Sequence, residues 1–172
     1  FKRPEEEKRY LFDVISKYLV QHELPELQKQ GVRINIVGDR QSFPQDLVED
    51  ITYVEQETRN NTQLSLNILF CYGGRQDISQ AARRISHDYA RGVLSYDDIT
   101  DDLISSYLYT KDMPDPDMII RTGGRYRISN FLLYQMAYSE IYFIPMYWPD
   151  ITKDMIYHAL TEFNNSSRTF GG

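Results

Sequence analysis

Short apolar runs that stop at glycine alternate along this chain with stretches whose apolar residues recur at helical spacing. In "VRINIVGD", Val32, Ile34 and Ile36 alternate and the run closes at Gly38-Asp39. "LSLNILFCYGGR" is apolar at nearly every position after Ser65 and closes at Gly73-Gly74-Arg75. A shorter run, Met118 to Ile120, closes at Arg121-Thr122-Gly123-Gly124, and "EIYFIPMYW" reads as a last strand. The helical stretches carry Leu11, Val14, Ile15, Tyr18 and Leu19; then Leu47, Ile51 and Val54; then Ile78, Ala81, Ala82, Ile85 and Tyr89. Ile99, Leu103, Ile104 and Leu108 mark another, residues 130–138 another, and Met155, Ile156, Ala159, Leu160 and Phe163 the last. Pro4 before three glutamates is a helix start, with acids facing the positive end of the dipole, and Pro25 predicts a bend or restart.

Strands alternating with helices predict an α/β fold, a mainly parallel sheet flanked by helices on both faces. The almost unbroken apolar second strand fits a sheet covered on both sides. No repeat, linker or low-complexity block interrupts residues 1–172, which read as a single domain. In such sheets ligands bind beyond the carboxyl ends of the strands, where the glycine-rich turns lie.

Composition limits what could bind there. The formal net charge is -6, and no basic face for general nucleic-acid binding is evident. The single cysteine, Cys71, leaves no internal disulfide and no cysteine-based zinc site, and fits a reducing compartment. No run of 18 apolar residues is present. His22, His87 and His158 sit singly on helical stretches and read as surface or packing residues.

Against this acidic background, Arg121, Arg125 and Arg127 gather beside Gly123 and Gly124 at a strand end. Glycines permit positive φ and leave backbone N–H groups open to an anion. Arg121 and Arg127 offer forked donors to phosphate oxygens. Ser129 adds a hydroxyl and could also cap a helix beginning near Asn130. Together these form a diphosphate cradle. The alternative is that the arginines pair with Asp115, Asp117 or Glu140 and only close the loop. Glu140 could ligate a hard cation such as Mg2+, or be a solvated acid before a strand.

The stretch "DPDMIIRTGGRYRISNFLLYQMAYSEIYF", with "WPD" at Trp148 to Asp150, resembles the signature of the cis-prenyltransferases, or Z-isoprenyl diphosphate synthases, of which undecaprenyl diphosphate synthase is a bacterial member. "VRINIVGD", "LNILFCYGGRQDI", "FKRPEEE" and the terminal "FGG" also match family blocks, so the resemblance covers the whole chain. It implies an enzyme that adds isopentenyl diphosphate units in cis onto an allylic diphosphate such as farnesyl diphosphate. The product would be a long polyprenyl diphosphate, undecaprenyl diphosphate or a similar lipid-carrier precursor. Mg2+ would assist departure of the allylic diphosphate, and an apolar tunnel would shield the growing chain, with Leu64, Leu66 and Ile68 as candidate wall residues.

By the resemblance, Arg121, Arg127 and Ser129 bind isopentenyl diphosphate with help from the backbone at Ile128. Glu140 aligns with the family glutamate linked to Mg2+. Arg3 aligns with the arginine that contacts the allylic diphosphate, and Phe1 stands in place of the family's tryptophan. A homodimer is implied, with the aromatic-rich residues 138–148 as a candidate interface. So are a cytoplasmic location and transient, peripheral contact with the membrane that receives the product. The chain departs from the family at Arg125, where glutamate is usual, at Tyr126 for histidine, at Tyr134 for tryptophan, and at Thr169 for arginine. The family's "DGNGRW" loop with its catalytic aspartate is not in this chain, and the start in mid-motif leads us to expect a missing N-terminal part. The alternative is a non-catalytic subunit supporting a catalytic partner; retention of Arg121, Arg127, Ser129 and Glu140 favours the enzyme.

Overall fold

The computed structural model describes residues 5–166. Its backbone contacts divide into two compact units, one up to Tyr72 and one from Gly73. Each contains a parallel strand pair flanked by helices.

In the first unit, α1 (Glu5–Asp13) leads into a wider, π-helical stretch, Val14–Glu23, and then α2 (Leu24–Lys29). The Leu24 N–H bonds the carbonyl of Leu19 five residues back, and Pro25 falls in the first turn of α2, where its missing N–H costs nothing. The expected restart at Pro25 is therefore present. Gly31, at φ 72, ends the helical region and admits β1 (Val32–Val37). β1 pairs in parallel with β2 (Leu64–Leu69), Val32 opposite Leu64 and Val37 opposite Leu69. Between them runs α3 (Gln45–Thr58), whose buried residues Leu47, Ile51, Val54 and Thr58 form one helical stripe. That stripe meets Val32, Ile34 and Ile36 with Leu24 and Phe43 to make the core. Each fully buried aliphatic side chain contributes about 1.5 to 3 kcal/mol. Leu66 and Ile68 pack against this core, whereas Leu64 is 59% exposed.

The outer edge of β1 carries no strand among the described residues. Side chains close it instead. Thr58 Oγ1 and Glu55 Oε1 accept the Ile34 and Ile36 N–H groups at 3.0 and 2.9 Å, and Asn61 donates to the Val32 carbonyl at 2.8 Å. Arg40 donates both to the Ile36 carbonyl and to Glu55. An open ladder of this kind would otherwise invite another strand.

In the second unit, α4 (Gly74–Ala90) and α5 (Asp101–Tyr107) precede β3 (Met118–Arg121) and β4 (Glu140–Phe143), which pair in parallel, followed by α6 (Lys153–Asn165). The buried face of α4 is Gly74, Asp77, Ala81 and Ile85, so the expected apolar face is rotated: Ile78 and Tyr89 are exposed. Thr100 and Thr152 cap α5 and α6 by accepting the Leu103 and Met155 N–H groups.

Two sequence expectations fail here. The helix over residues 130–138 is a series of turns. Ser129, Asn130 and Leu132 have φ of 51, 65 and 43, left-handed values incompatible with a right-handed helix start, so Ser129 caps no helix. The last strand ends at Phe143, because Pro145 offers no N–H to extend it.

Candidate functional site

The carboxyl end of β3 is where this site is built. Parallel pairing sets Arg121 opposite Phe143, and the Arg121 carbonyl takes the Ile144 N–H at 2.8 Å. The chain then turns through Gly123 and Gly124 at φ 87 and 63, values that favour glycine. Their N–H groups are not open to an anion, as the sequence had suggested. Gly123 donates to the Met146 carbonyl at 2.7 Å and Gly124 to the Ile144 carbonyl at 3.3 Å. The glycines let the arginine loop lie flat against residues 144–147, with the Tyr147 ring over Gly123.

Arg121 Nη1 donates to Ser129 Oγ across 3.4 Å, a long contact that brings a guanidinium and a hydroxyl together. Arg121 also lines a cleft of about 380 Å³, with Ile119, Ile120, Thr122, Ile128, Phe131 and Ile141; Ser129 touches Arg121 but is not among the lining residues. That volume is within the range of small-molecule pockets. The lining joins one guanidinium to mostly apolar side chains, a chemistry suited to an amphiphile with an anionic head and a hydrocarbon tail.

Among the residues singled out from the sequence, the structure thus brings Arg121, Ile128 and Ser129 together. Arg127 is exposed and lies outside the cleft lining, its N–H bonded to the Arg125 carbonyl at 3.0 Å. Arg125 and Tyr126 are exposed too, with the Tyr126 ring 5.0 Å from that of Phe143. Glu140 opens β4 opposite Met118, three register positions from Phe143 and Arg121, about 10 Å along the strand. Its carboxylate accepts the hydroxyls of Tyr142, at 2.8 Å, and Ser166. Phe1, Arg3 and Thr169 lie outside the described residues. The histidines are surface residues as expected: His87 and His158 meet Asp88 and Glu162. Residues 138–148 expose Tyr138, Met146, Tyr147 and Trp148.

Leu66 and Ile68, two of the tunnel-wall candidates, are half-buried and pack against the first unit's core. Most of the lining of the cleft beside Arg121 was not singled out from the sequence. The signal was present in "MII" immediately before Arg121, a strand apolar up to its charged end.

A family model described as "Putative undecaprenyl diphosphate synthase" matches residues 1–171. The chain is 44% identical to the isoprenyl transferase of Agrobacterium fabrum over 99% of this chain and 69% of that protein. It is 40% identical to the ditrans,polycis-undecaprenyl-diphosphate synthase ((2E,6E)-farnesyl-diphosphate specific) of Vibrio vulnificus, over 99% of this chain and 68% of that protein. The chain thus spans about two thirds of the length of these curated relatives. Among solved structures, lavandulyl diphosphate synthase from Lavandula x intermedia, in complex with dimethylallyl diphosphate, superposes with a TM-score of 0.93. That match is 32% identical and covers all of this chain and 74% of the other.

Proposed function

The chain belongs to the prenyltransferase family of the undecaprenyl diphosphate synthases, and from that membership we propose which substrates and cofactor it uses. It is a transferase. Its reaction is the cis-condensation of isopentenyl diphosphate onto an allylic diphosphate, repeated to give a polyprenyl diphosphate of undecaprenyl type. The observation that carries this reading is the meeting of Arg121 with Ser129 at the edge of β3, where Arg121 also lines a mostly apolar cleft. A relative named for farnesyl diphosphate and a structural neighbour holding dimethylallyl diphosphate support an allylic co-substrate. The residues assigned to it by the resemblance, Phe1 and Arg3, lie outside the described part.

In this mechanism Arg121 and the Ser129 hydroxyl hold the diphosphate of isopentenyl diphosphate through charge-assisted hydrogen bonds. Arg127 adds positive charge from the neighbouring surface. Ile119, Ile120, Ile128, Phe131 and Ile141 keep water from the hydrocarbon portion. Positive charge already in place lowers the cost of gathering anionic groups for the transfer, without reorganisation at the moment of reaction.

Mg2+ is part of the proposal. Such ions take one or two carboxylates together with substrate phosphates, and Glu140 supplies one hard donor. Among the described residues no group of three acidic, histidine or cysteine side chains that could hold a metal occurs. When bound, the ion would supply charge neutralisation for the departing diphosphate. A homodimer formed through the exposed aromatic residues 138–148 completes the reading, as does peripheral membrane contact from the cytoplasm. Among the described residues no helix is long and apolar enough to cross a membrane.

The test is Arg121→Ala in the full-length protein. KM for isopentenyl diphosphate should rise about 10- to 100-fold, the factor expected for one hydrogen bond to a charged group. Labelled isopentenyl diphosphate should still identify the product of the wild type as a polyprenyl diphosphate. An unchanged KM would remove Arg121 from the site.

A further inference from the structure

The head of α4 is a glycine-rich helix N-terminus of the kind that often receives phosphate, yet a segment of the protein already occupies it. Gly73 provides no side-chain cap. Instead the Gly74 N–H donates to the Asn130 carbonyl at 2.7 Å, and the Arg75 N–H donates to Asn130 Oδ1 at 2.9 Å. Asn130 Nδ2 in turn donates to Gln76 Oε1 at 3.1 Å. One asparagine thus serves two of the unsatisfied N–H groups at the helix start, from 55 residues away in sequence.

A second fastening lies five residues on. Gln135 Nε2 donates to Asp77 Oδ2 at 3.0 Å and to Thr110 Oγ1 at 2.7 Å, while Asp77 Oδ1 takes the Tyr109 N–H at 2.7 Å. Asp77 and Gln135 are 1% and 4% exposed. The paired glycines are part of the same fit. A Cβ on Gly74 would stand 2.9 Å from the Leu133 backbone nitrogen, and one on Gly73 would stand 2.7 Å from Asn130 Nδ2.

This arrangement bears on the site because Ser129, whose hydroxyl meets Arg121, precedes the anchored residue. Both Ser129 and Asn130 are left-handed, a conformation asparagine tolerates better than most residues. We infer that Asn130 is a positioning residue: it spends the N-terminus of α4 on anchoring the arm that carries Arg127, Ile128 and Ser129, and so sets Ser129 against Arg121. This rests on the diphosphate reading above and adds the element that holds its geometry.

The experiment uses the full-length protein and three variants, measured by steady-state kinetics and by calorimetric titration with isopentenyl diphosphate. Asn130→Gly keeps the left-handed backbone and its carbonyl but deletes the side-chain amide. It should raise both the Kd and the KM about tenfold with kcat changed less than about threefold, the usual scale for loss of a supporting contact behind a binding group. Asn130→Asp keeps an acceptor for the Arg75 N–H and should recover most of that loss. Arg121→Ala is the control. A raised Kd in Arg121→Ala beside a wild-type Kd in Asn130→Gly would overturn the positioning role alone. A wild-type Kd in Arg121→Ala would overturn the diphosphate reading and this inference with it. If Asn130→Gly does not fold, Gln76→Ala at an exposed position removes the amide's partner. It should raise the Kd about two- to threefold at an unchanged Tm, and no change would count against the inference.

Discussion

Thr58 takes the Ile34 N–H on its hydroxyl oxygen at 3.0 Å, on the side of β1 that no strand covers among the described residues. The same hydroxyl donates to the Val54 carbonyl at 2.8 Å, so a single side chain joins α3 to the strand while closing its own helix. Thr58 is fully buried, and so is Ile34. Thr58→Val keeps the shape and strands a buried N–H. The expected loss is about 1 to 3 kcal/mol, read by urea denaturation. Thr58→Ser, which keeps the hydroxyl, should lose less. Equal losses in the two variants would show that packing, not the hydrogen bond, sets the cost.

Gly74→Ala tests the fit of the 130–135 arm on α4. Inside an ordinary helix this change stabilises by about 1 kcal/mol. Here the new methyl group would lie 2.6 to 2.9 Å from the side chain and backbone of Leu133. Overpacking of this kind costs about 1 to 3 kcal/mol, so the sign should reverse. A rise in Tm would mean that the arm moves aside freely.

The bond from the Tyr107 hydroxyl to Asp88 Oδ2, 2.7 Å long, ties α5 to α4 and should respond to pH at both extremes. The hydrogen bonds from Tyr107 and then from His87 hold the Asp88 carboxyl below its usual range. A depressed acid contributes stability above its unfolded pKa, near 3.9, and loses it as pH falls through the folded value. Tyr107 is pushed up, mainly by the same hydrogen bond from the other side. Its contribution is intact below about pH 10 and disappears as pH rises through the folded value. Tyr107→Phe should therefore flatten both the acid and the alkaline limbs of stability against pH. A parallel downward shift at every pH would exclude the linkage.

Glu140→Ala should raise the Mg2+ concentration needed for half-maximal activity, by about tenfold if the carboxylate is a ligand. The Tyr142 and Ser166 hydroxyls already engage both carboxylate oxygens, so the competing role is structural. Mg2+ titrations that superimpose on the wild type, together with a lowered Tm, would establish that role.

Local pattern made the strands legible. Val32, Ile34 and Ile36 alternate because one face of β1 is core, and Arg121 announced itself as a charge at the end of an apolar run. The 130–138 segment misled because Phe131, Leu132, Leu133 and Met136 do fall at helical spacing, while Asn130 and Gln135 beside them are bonded to α4 across more than 50 residues. Asp77 and Gln135 were passed over for a related reason. A buried carboxylate looks polar in a sequence, and only its distant partners make it part of the core. The glycines beside Arg121 were expected to offer their N–H groups to an anion, but those groups go to carbonyls beyond β4, which no spacing could disclose.

Those two glycine amides have one more consequence. With both engaged by Ile144 and Met146, the loop keeps its curvature through bonds of its own before any ligand arrives. A binding event then has less backbone left to order at the turn, and that part of the entropy a floppy anion loop would lose on each encounter is already lost at folding.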